Sequence, residues 1–226
     1  MIGIYGGTFD PIHMGHLRAA EEVAAELDLS RILFIPSARP PHKEGDESPV
    51  APAKERLAWV ELAVAGNPLF LADSIEVERP GPSYLIDTLE SLGHRFPDEE
   101  LVFVVGRDAF CEMGTWRAPE RLFATCHIAV TTRPPVAGGR IAEWLPECVH
   151  QDFRLAADGL SGRHKSANTW IRQLEITALD VSATDIRSRL ARGASILDLV
   201  PEAAHRAIMA SGCYNGPHAD PVPGAN

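Results

Sequence analysis

Cysteine is scarce in this chain of 226 residues. Its four cysteines, at positions 111, 126, 148 and 213, form no Cys-x-x-Cys pair. Scattered cysteines argue against a disulfide framework or a zinc ribbon and are typical of the reducing cytoplasm, where we expect this protein to be located. The opening MIGIYGG has no basic segment and too short an apolar run for a secretory signal. No stretch approaches the roughly 20 apolar residues that a membrane span needs.

Positive charge is also scarce: 21 lysines and arginines face 31 acidic residues, so the net charge is −10. This balance argues against a nucleic-acid partner or an anionic membrane surface, because both require a basic face. The negative net charge is still compatible with a local basic pocket that binds a small anion. The length favours a single domain over residues 1–214, with a disordered tail over 215–226. The sequence does not determine the oligomeric state and is compatible with a homo-oligomer.

Apolar runs alternate with helical periodicity along the chain, without an internal repeat. The first strand, helix and strand form a βαβ unit, so we predict an α/β fold: a doubly wound, Rossmann-like parallel sheet with a small C-terminal helical part. Residues 134–170 are a weakly patterned insertion. The predicted strands are 1–5, 31–36, 69–77, 101–105, 127–131 and 174–178, and the predicted helices are 15–28, 52–65, 83–94, 118–124, 183–192 and 201–211.

Gly6, Gly7 and Thr8 follow the first strand, at the sheet edge where ligands of such folds bind. Two glycines allow a ligand close to the backbone, whose N–H groups can face phosphate oxygens. The sequence has neither the Gly-Lys-Ser/Thr of a P-loop nor Gly-x-Gly-x-x-Gly at this position. A tight turn that merely needs glycine is the alternative.

His13 and His16 stand one helical turn apart at the start of the first predicted helix. The positive end of the helix dipole and two imidazole donors suit an anion such as phosphate. A metal site is the competing interpretation, but no third ligand lies at a typical spacing, and ordinary packing is another. We favour phosphate contact and predict no metal bound by the protein's own side chains.

The stretch GGTFDPIHMGHL, residues 6–17, resembles the nucleotidyltransferase motif (T/H)-x-G-H. Together with PSARPPHK at 36–43, it is similar to the bacterial nicotinate-nucleotide adenylyltransferases. Further matching stretches follow in order up to about residue 214: ERPGPSYLIDTL (78–89), VVGRDAF (104–110), TWRAPERL (115–122), TTRPP (131–135) and VSATDIR (181–187).

The resemblance implies an enzyme of NAD biosynthesis that transfers AMP from ATP to nicotinate mononucleotide, giving deamido-NAD and pyrophosphate. Mg²⁺ would be bound mainly through the ATP phosphates. The resemblance implies three sets of residues. The catalytic set is His13, His16, Lys43 and Arg187; the ATP-binding set is Gly6, Gly7, Thr8, Phe9, His13, His16, Gly106, Asp108, Ser182, Thr184 and Arg187; the set for nicotinate mononucleotide is Thr8, Lys43, Ser83, Tyr84, Leu85, Trp116 and Arg133.

Local chemistry agrees with two of these assignments. Ser182 and Asp185 have the spacing of a capping box, and a helix start of this kind also suits ATP phosphates. In GPSYLIDTL, Ser83 and Tyr84 are expected in the first turn of a helix, whose N–H groups suit a carboxylate better than a carboxamide.

Two positions depart from the family pattern: Leu85 replaces a usual threonine, and Arg107 replaces a smaller residue beside Asp108. Two kinds of alternative stay open. A related adenylyltransferase acting on nicotinamide mononucleotide or phosphopantetheine would share the histidines, although the PPHK stretch and the Pro-Ser-Tyr stretch at 82–84 disfavour it. A non-catalytic nucleotide-binding regulator would release no pyrophosphate from ATP.

Overall fold

The computed structural model describes residues 1–40, 50–133, 139–177 and 179–214. Lys43 and the tail from residue 215 lie outside the described residues. The strands are β1 Ile2–Gly7, β2 Arg31–Pro36, β3 Phe70–Ala72, β4 Leu101–Gly106, β5 His127–Thr132, β6 Phe153–Leu155, β7 Ser161–His164 and β8 Trp170–Glu175. The helices are α1 Met14–Leu27, α2 Ala53–Val64, α3 Ile75–Glu78, α4 Leu85–Arg95, α5 Arg107–Glu112, α6 Pro119–Thr125, α7 Ile141–Trp144, α8 Glu147–His150, α9 Ala183–Ala191 and α10 Glu202–Ser211, with a 3₁₀ turn at Met113–Thr115.

The eight strands form one sheet in the order β3-β2-β1-β4-β5-β8-β7-β6. β4 pairs in parallel with β1 and β5, and β5 pairs in parallel with β8. The predicted α/β class with a mostly parallel sheet is therefore confirmed. At one edge of the sheet, β7 pairs antiparallel with both β8 and β6.

The first strand continues past its predicted end and includes Gly6 and Gly7, which were expected to follow it. Three further segments differ more. The strand expected over 69–77 is confined to β3 and is followed by the short helix α3. The strand expected over 174–178 begins earlier, at Trp170, and ends at Glu175. The insertion at 134–170 contains α7, α8, β6 and β7 within its described part, elements of three or four residues that are too short to show a clear period.

The chain divides into two compact units, each assembled from separated stretches. The first unit comprises Met1–Gly6, Ala19–Leu33 and Tyr84–Ala178. The second unit comprises Gly7–Arg18, Phe34–Ser83 and Leu179–Asn226. The single domain over 1–214 stays a prediction.

Each unit has an apolar core that follows from the sequence pattern. In the first unit, strands β4 and β5 are buried along most of their length, as expected for central parallel strands covered on both faces. In the second unit, α2 packs against α10, with Trp59, Val60 and Ile208 buried. Among the helices of the described residues, none combines the length and the apolar character needed to cross a membrane.

Candidate active site

The two histidines of the motif are stacked at the start of α1, in the second unit. His13 immediately precedes the helix and is 4% exposed, and its ring lies 3.6 Å from that of His16, between centroids. The backbone N–H of His13 donates to Nδ1 of His16 at 3.2 Å. Because Nδ1 accepts, the proton of the neutral His16 ring is on Nε2, which is then its hydrogen-bond donor. Phe9 meets this ring edge-on at 5.1 Å.

Gly15 allows the beginnings of α1 and α9, both in the second unit, to approach each other closely. A Cβ at this position would lie 3.0 Å from Val181 Cγ1 and 3.1 Å from His13 Nδ1. Such contacts are tighter than side chains normally make, so the absence of a side chain is what permits the approach. Since Val181 precedes the N-cap of α9, the first turns of α1 and α9 lie side by side. Two positive dipole ends in one place suit an anion with several charges.

Ser182 caps α9 as the sequence predicts. Its Oγ accepts from the Asp185 N–H at 3.1 Å, and the hydroxyl hydrogen remains a donor in its own right. One turn further, Arg187 donates to Thr184 Oγ1 at 3.2 Å and to the backbone oxygen of Asp10 at 2.8 Å. The guanidinium is therefore oriented by the histidine loop before any ligand binds.

Other N–H groups near the histidines are already used within the protein. Met14 N–H, at the beginning of α1, donates to the Leu199 carbonyl at 2.9 Å. Ser37 N–H donates to the Gly7 carbonyl at 2.9 Å. The side chains, more than the first amides of α1, therefore provide the donors of this cluster.

Asp10 is an organising residue that the sequence analysis did not single out. Its Oδ2 accepts from Val50 N–H at 2.9 Å, and its Oδ1 accepts from Ala51 N–H at 3.1 Å and from the Tyr214 hydroxyl at 2.7 Å. The carboxylate is 6% exposed, and Arg187 Nη1 lies 3.9 Å from Oδ2. An acidic residue inside the motif, between Phe9 and Pro11, was the available signal.

Arg56 is a second missed residue, buried on α2 with 1% exposure. It donates to the carbonyls of Thr8, Ser37 at 2.7 Å and Ala51 at 3.0 Å. Burial lowers the pKa of Arg56, and the nearby charge of Asp10 counteracts this. Arg56 therefore ties the backbone of the Thr8 loop to two other segments of the second unit. Its position on an otherwise apolar helix face was the only sequence signal.

In the first unit, Gly106 and Asp108 lie at the carboxyl edge of the sheet, as predicted. Gly106 is in register with Thr131 of β5, and a Cβ added to it would meet nothing within 4 Å. The Asp108 carboxylate is 89% exposed and accepts from Arg107 Nε at 3.1 Å and Nη2 at 2.9 Å. The unusual Arg107 therefore forms an ion pair with Asp108, a member of the predicted ATP-binding set.

Tyr84 of the first unit contacts Arg117, the residue that follows Trp116 in the sequence. The Arg117 guanidinium lies over the Tyr84 ring, 4.6 Å from its centroid, and 3.9 Å from Asp87 Oδ2. Trp116 is half-buried and meets Phe103 edge-on at 6.2 Å. The contact with Arg117 places a cation over the Tyr84 ring at the beginning of α4.

The expectation that Ser83 and Tyr84 form the first turn of a helix is wrong. The helix starts at Leu85, and its N-cap is Tyr84, whose side chain makes no capping hydrogen bond. Ser83 belongs to the second unit, where its Oγ accepts from the N–H groups of Ala38 at 3.0 Å and Arg39 at 3.2 Å. The hydroxyl is drawn to the loop after β2, because two adjacent amides there need an acceptor.

The predicted residues thus fall into two groups. The second unit brings together Phe9, His13, His16, Ser182, Thr184 and Arg187, preceded by Gly7 and Thr8. The first unit holds Gly6, Gly106, Asp108, Tyr84, Leu85, Trp116 and the exposed Arg133. Arg133 lies near Tyr5, whose pKa burial raises to about 12 and Arg133 partly lowers. Lys43 is outside the described residues.

Comparison with known proteins agrees with this chemistry. The Cytidylyltransferase-like family model matches residues 4–189. A curated probable nicotinate-nucleotide adenylyltransferase of Desulfatibacillum aliphaticivorans is 42% identical over 221 residues, covering 94% of this chain and 99% of that protein. The chain belongs to the Cytidylyltransferase-like family, among the nicotinate-nucleotide adenylyltransferases.

Further relatives support this membership. A protein of the same description from Geotalea uraniireducens is 40% identical over 217 residues, covering 95% of this chain and 98% of that protein. A solved nicotinic acid mononucleotide adenylyltransferase of Plasmodium falciparum, complexed with NaAD, superposes with a TM-score of 0.67 at 16% identity, over 95% of this chain and 97% of that one. At this identity the match shows the fold. The resemblance and the class of enzyme, a nucleotidyltransferase, are confirmed.

Proposed function

We propose that this adenylyltransferase joins the AMP part of ATP to nicotinate mononucleotide, forming deamido-NAD and pyrophosphate. The observation that carries the proposal is the cluster of the second unit: two histidines and Arg187 beside two adjoining helix starts. Phosphate oxygens are the ligands such a group of donors suits best. Family membership supports the same reaction.

The reaction needs alignment more than acid–base chemistry. An oxygen of the mononucleotide phosphate attacks the α-phosphorus of ATP, forming one P–O bond while the bond to pyrophosphate breaks. The nucleophile is already an anion, so no general base is needed. His16 Nε2–H, the Ser182 hydroxyl and the Arg187 guanidinium are the donors that we assign to the charge of the transferring and leaving phosphates. Lys43 is proposed as a further donor.

Mg²⁺ enters this reaction as the counter-ion of the ATP substrate. Among the described residues, no group of three histidines, cysteines or carboxylates could hold a metal ion. Mg²⁺ prefers oxygen ligands and keeps several waters, so phosphate oxygens and water can complete its coordination. The side chains of the histidine cluster then act on the phosphates directly.

We propose that nicotinate mononucleotide, which accepts the AMP group, binds in the first unit at the beginning of α4. The side chain of the N-cap residue Tyr84 makes no capping hydrogen bond, and the first N–H groups of a helix suit a carboxylate. Asp87 in the first turn opposes an anion, but Arg117, 3.9 Å away, offsets its charge. We assign the pyridine ring to Trp116, the ring carboxylate to the amides from Leu85 onward, and the mononucleotide phosphate to Arg133.

We also propose that the enzyme works in the cytoplasm, where ATP is abundant. All four cysteines are free thiols, which fits a reducing compartment.

The test is incubation with ATP and Mg²⁺ and one of three acceptors: nicotinate mononucleotide, nicotinamide mononucleotide or phosphopantetheine. Products are identified by mass, and pyrophosphate is measured in parallel. We expect deamido-NAD and pyrophosphate in equal amounts. A different preferred acceptor would overturn the substrate assignment, and no pyrophosphate with any acceptor would favour a nucleotide-binding regulator.

A further inference from the structure

Tyr214 lies just after α10, at the end of the described chain, and reaches the motif loop of the second unit. Its side chain is buried, with 5% exposure, and its ring lies 5.8 Å from that of Trp59. Its hydroxyl donates to Asp10 Oδ1 at 2.7 Å, across 204 positions of sequence. Burial, followed by the charge of Asp10, raises the pKa of Tyr214 far above its ordinary value. The hydroxyl therefore stays protonated and remains a donor at any working pH.

The acceptor of this bond occupies a special place in the motif. Asp10 stands three residues before His13, and its backbone oxygen accepts from Arg187 Nη1. Its carboxylate accepts N–H groups of Val50 and Ala51 in addition to the hydroxyl. A residue held at both its carbonyl and its carboxylate has little freedom, so the loop leading to His13 and the guanidinium of Arg187 are fixed together.

Packing alone does not account for a tyrosine here. A phenylalanine would fill the same space against Trp59 without a buried hydroxyl that must find an acceptor. A hydrogen bond to a charged group is stronger than a hydrogen bond between neutral groups. The hydroxyl thus stabilises one orientation of the Asp10 carboxylate, which two backbone amides alone hold less firmly.

We propose that Tyr214 is a positioning residue for the adenylyl transfer step: through Asp10 it holds Arg187 and the histidine loop in the geometry that the transferring phosphate requires. This inference rests on the proposed function. Arg187 and the histidines are the residues that we assign to the phosphates, whereas Tyr214 acts through its hydrogen bond to Asp10. Displacements of about 1 Å at a site of this kind can cost as much as a hundredfold in rate.

The experiment compares Tyr214→Phe with a matched control, Ile208→Val, which removes one methylene from a fully buried side chain of α10. Steady-state kinetics with ATP, Mg²⁺ and nicotinate mononucleotide are measured beside thermal melts. We expect kcat of Tyr214→Phe to fall about five- to twentyfold, with KM for the acceptor within about twofold of wild type, since part of the positioning is lost. Ile208→Val should keep kcat while losing a similar amount of thermal stability.

A second measurement separates positioning from general weakening. In an Arg187→Lys background, Tyr214→Phe should reduce kcat less than it does alone, because both changes disturb one connected group. A kcat of Tyr214→Phe equal to that of Ile208→Val, or full additivity with Arg187→Lys, would overturn the inference. If Tyr214→Phe does not fold, Asp10→Asn is measured in its place. An unchanged kcat for Asp10→Asn would also overturn the inference. If wild type itself makes no deamido-NAD, the proposed function fails instead.

Discussion

Two contacts with His13 orient the His16 ring: its Nδ1 accepts from the His13 N–H, and the two rings stack. The hydrogen bond puts the proton of the neutral ring on Nε2, and the stacking helps to orient that donor. Replacing His16 by alanine should lower kcat by roughly 10²–10³, the usual loss for one preorganised transition-state donor. The lost contact at the helix start should cost only about 1 kcal/mol of stability, seen as a small decrease of the melting temperature.

Glu26→Ala, on the exposed face of the same helix, is the control for this measurement. It should keep wild-type kcat. A near-normal kcat for His16→Ala, or a collapsed melt, would contradict the role assigned to His16.

Gly15 provides a second test at the residue scale. A glycine stands here because a side chain would be crowded, and not because the backbone has a positive φ. Its alanine variant places a methyl group 3.0–3.1 Å from Val181 and His13. The gain in helix propensity, about 1 kcal/mol, offsets part of the resulting strain. We therefore expect a melting temperature within a few degrees of wild type and a clear decrease of kcat, as the His13 ring shifts.

Gly93→Ala, in a helix where the added Cβ meets nothing within 4 Å, is the matched control for propensity. It should not change kcat. If Gly15→Ala also keeps full activity, the close approach of the two helix starts is not needed for turnover.

At the scale of elements, the beginning of α4 determines the expected choice of acceptor. Backbone N–H groups suit a carboxylate, whose charged hydrogen bonds are roughly twice as strong as neutral ones. The N–H₂ group of a carboxamide would face these backbone N–H groups, which are donors and cannot accept its hydrogen bonds. We expect kcat/KM for nicotinate mononucleotide to exceed that for nicotinamide mononucleotide at least tenfold, about 1.4 kcal/mol. We do not expect a larger ratio, because Leu85 lacks the hydroxyl of the threonine that is usual at this position.

Parallel assays of both acceptors at saturating ATP measure this ratio. Arg117→Ala should reduce it, since Asp87 would then repel the carboxylate without compensation. Equal use of both acceptors by wild type would mean that the start of α4 is not a carboxylate site.

At the scale of the whole molecule, stability should depend on pH through His127 of the first unit. Its Nδ1 accepts from Trp170 N–H at 3.2 Å, and its ring stacks on that of Trp170 at 4.6 Å. Burial chiefly lowers the pKa of His127, and Arg163 and Arg172 add to this, while Glu100 opposes it. The folded state thus holds a neutral ring, whereas the unfolded chain takes up a proton below about pH 6.5.

Stability should therefore be complete above about pH 6.5 and decrease as the pH falls toward the lowered pKa, by at most about 1.4 kcal/mol per pH unit for one proton. Thermal melts from pH 7.5 to 5.5 measure this decrease. In His127→Asn, which keeps an acceptor for Trp170 N–H, the decrease should be smaller. The same pH dependence in both proteins would exclude His127 as its source.

The sequence alone determined the elements and the chemical character of this protein. The apolar runs of β2, β4 and β5 and the helical patterns of α1 and α9 depend on neighbouring residues, so these elements were predicted to within one residue at each end. The same holds for the Ser182 cap, whose partner is three positions away. The histidine motif, being contiguous, indicated the family.

Only the tertiary structure decided what holds that motif in place. Asp10 receives its hydroxyl from Tyr214, and Arg56 reaches the Thr8 carbonyl across 48 positions. Such pairs leave no periodic trace, because a buried polar group is stabilised by whichever partner folding brings within about 3 Å. The short strands β6 and β7 were missed for a related reason: elements of three or four residues are stable only once a neighbouring strand pairs with them.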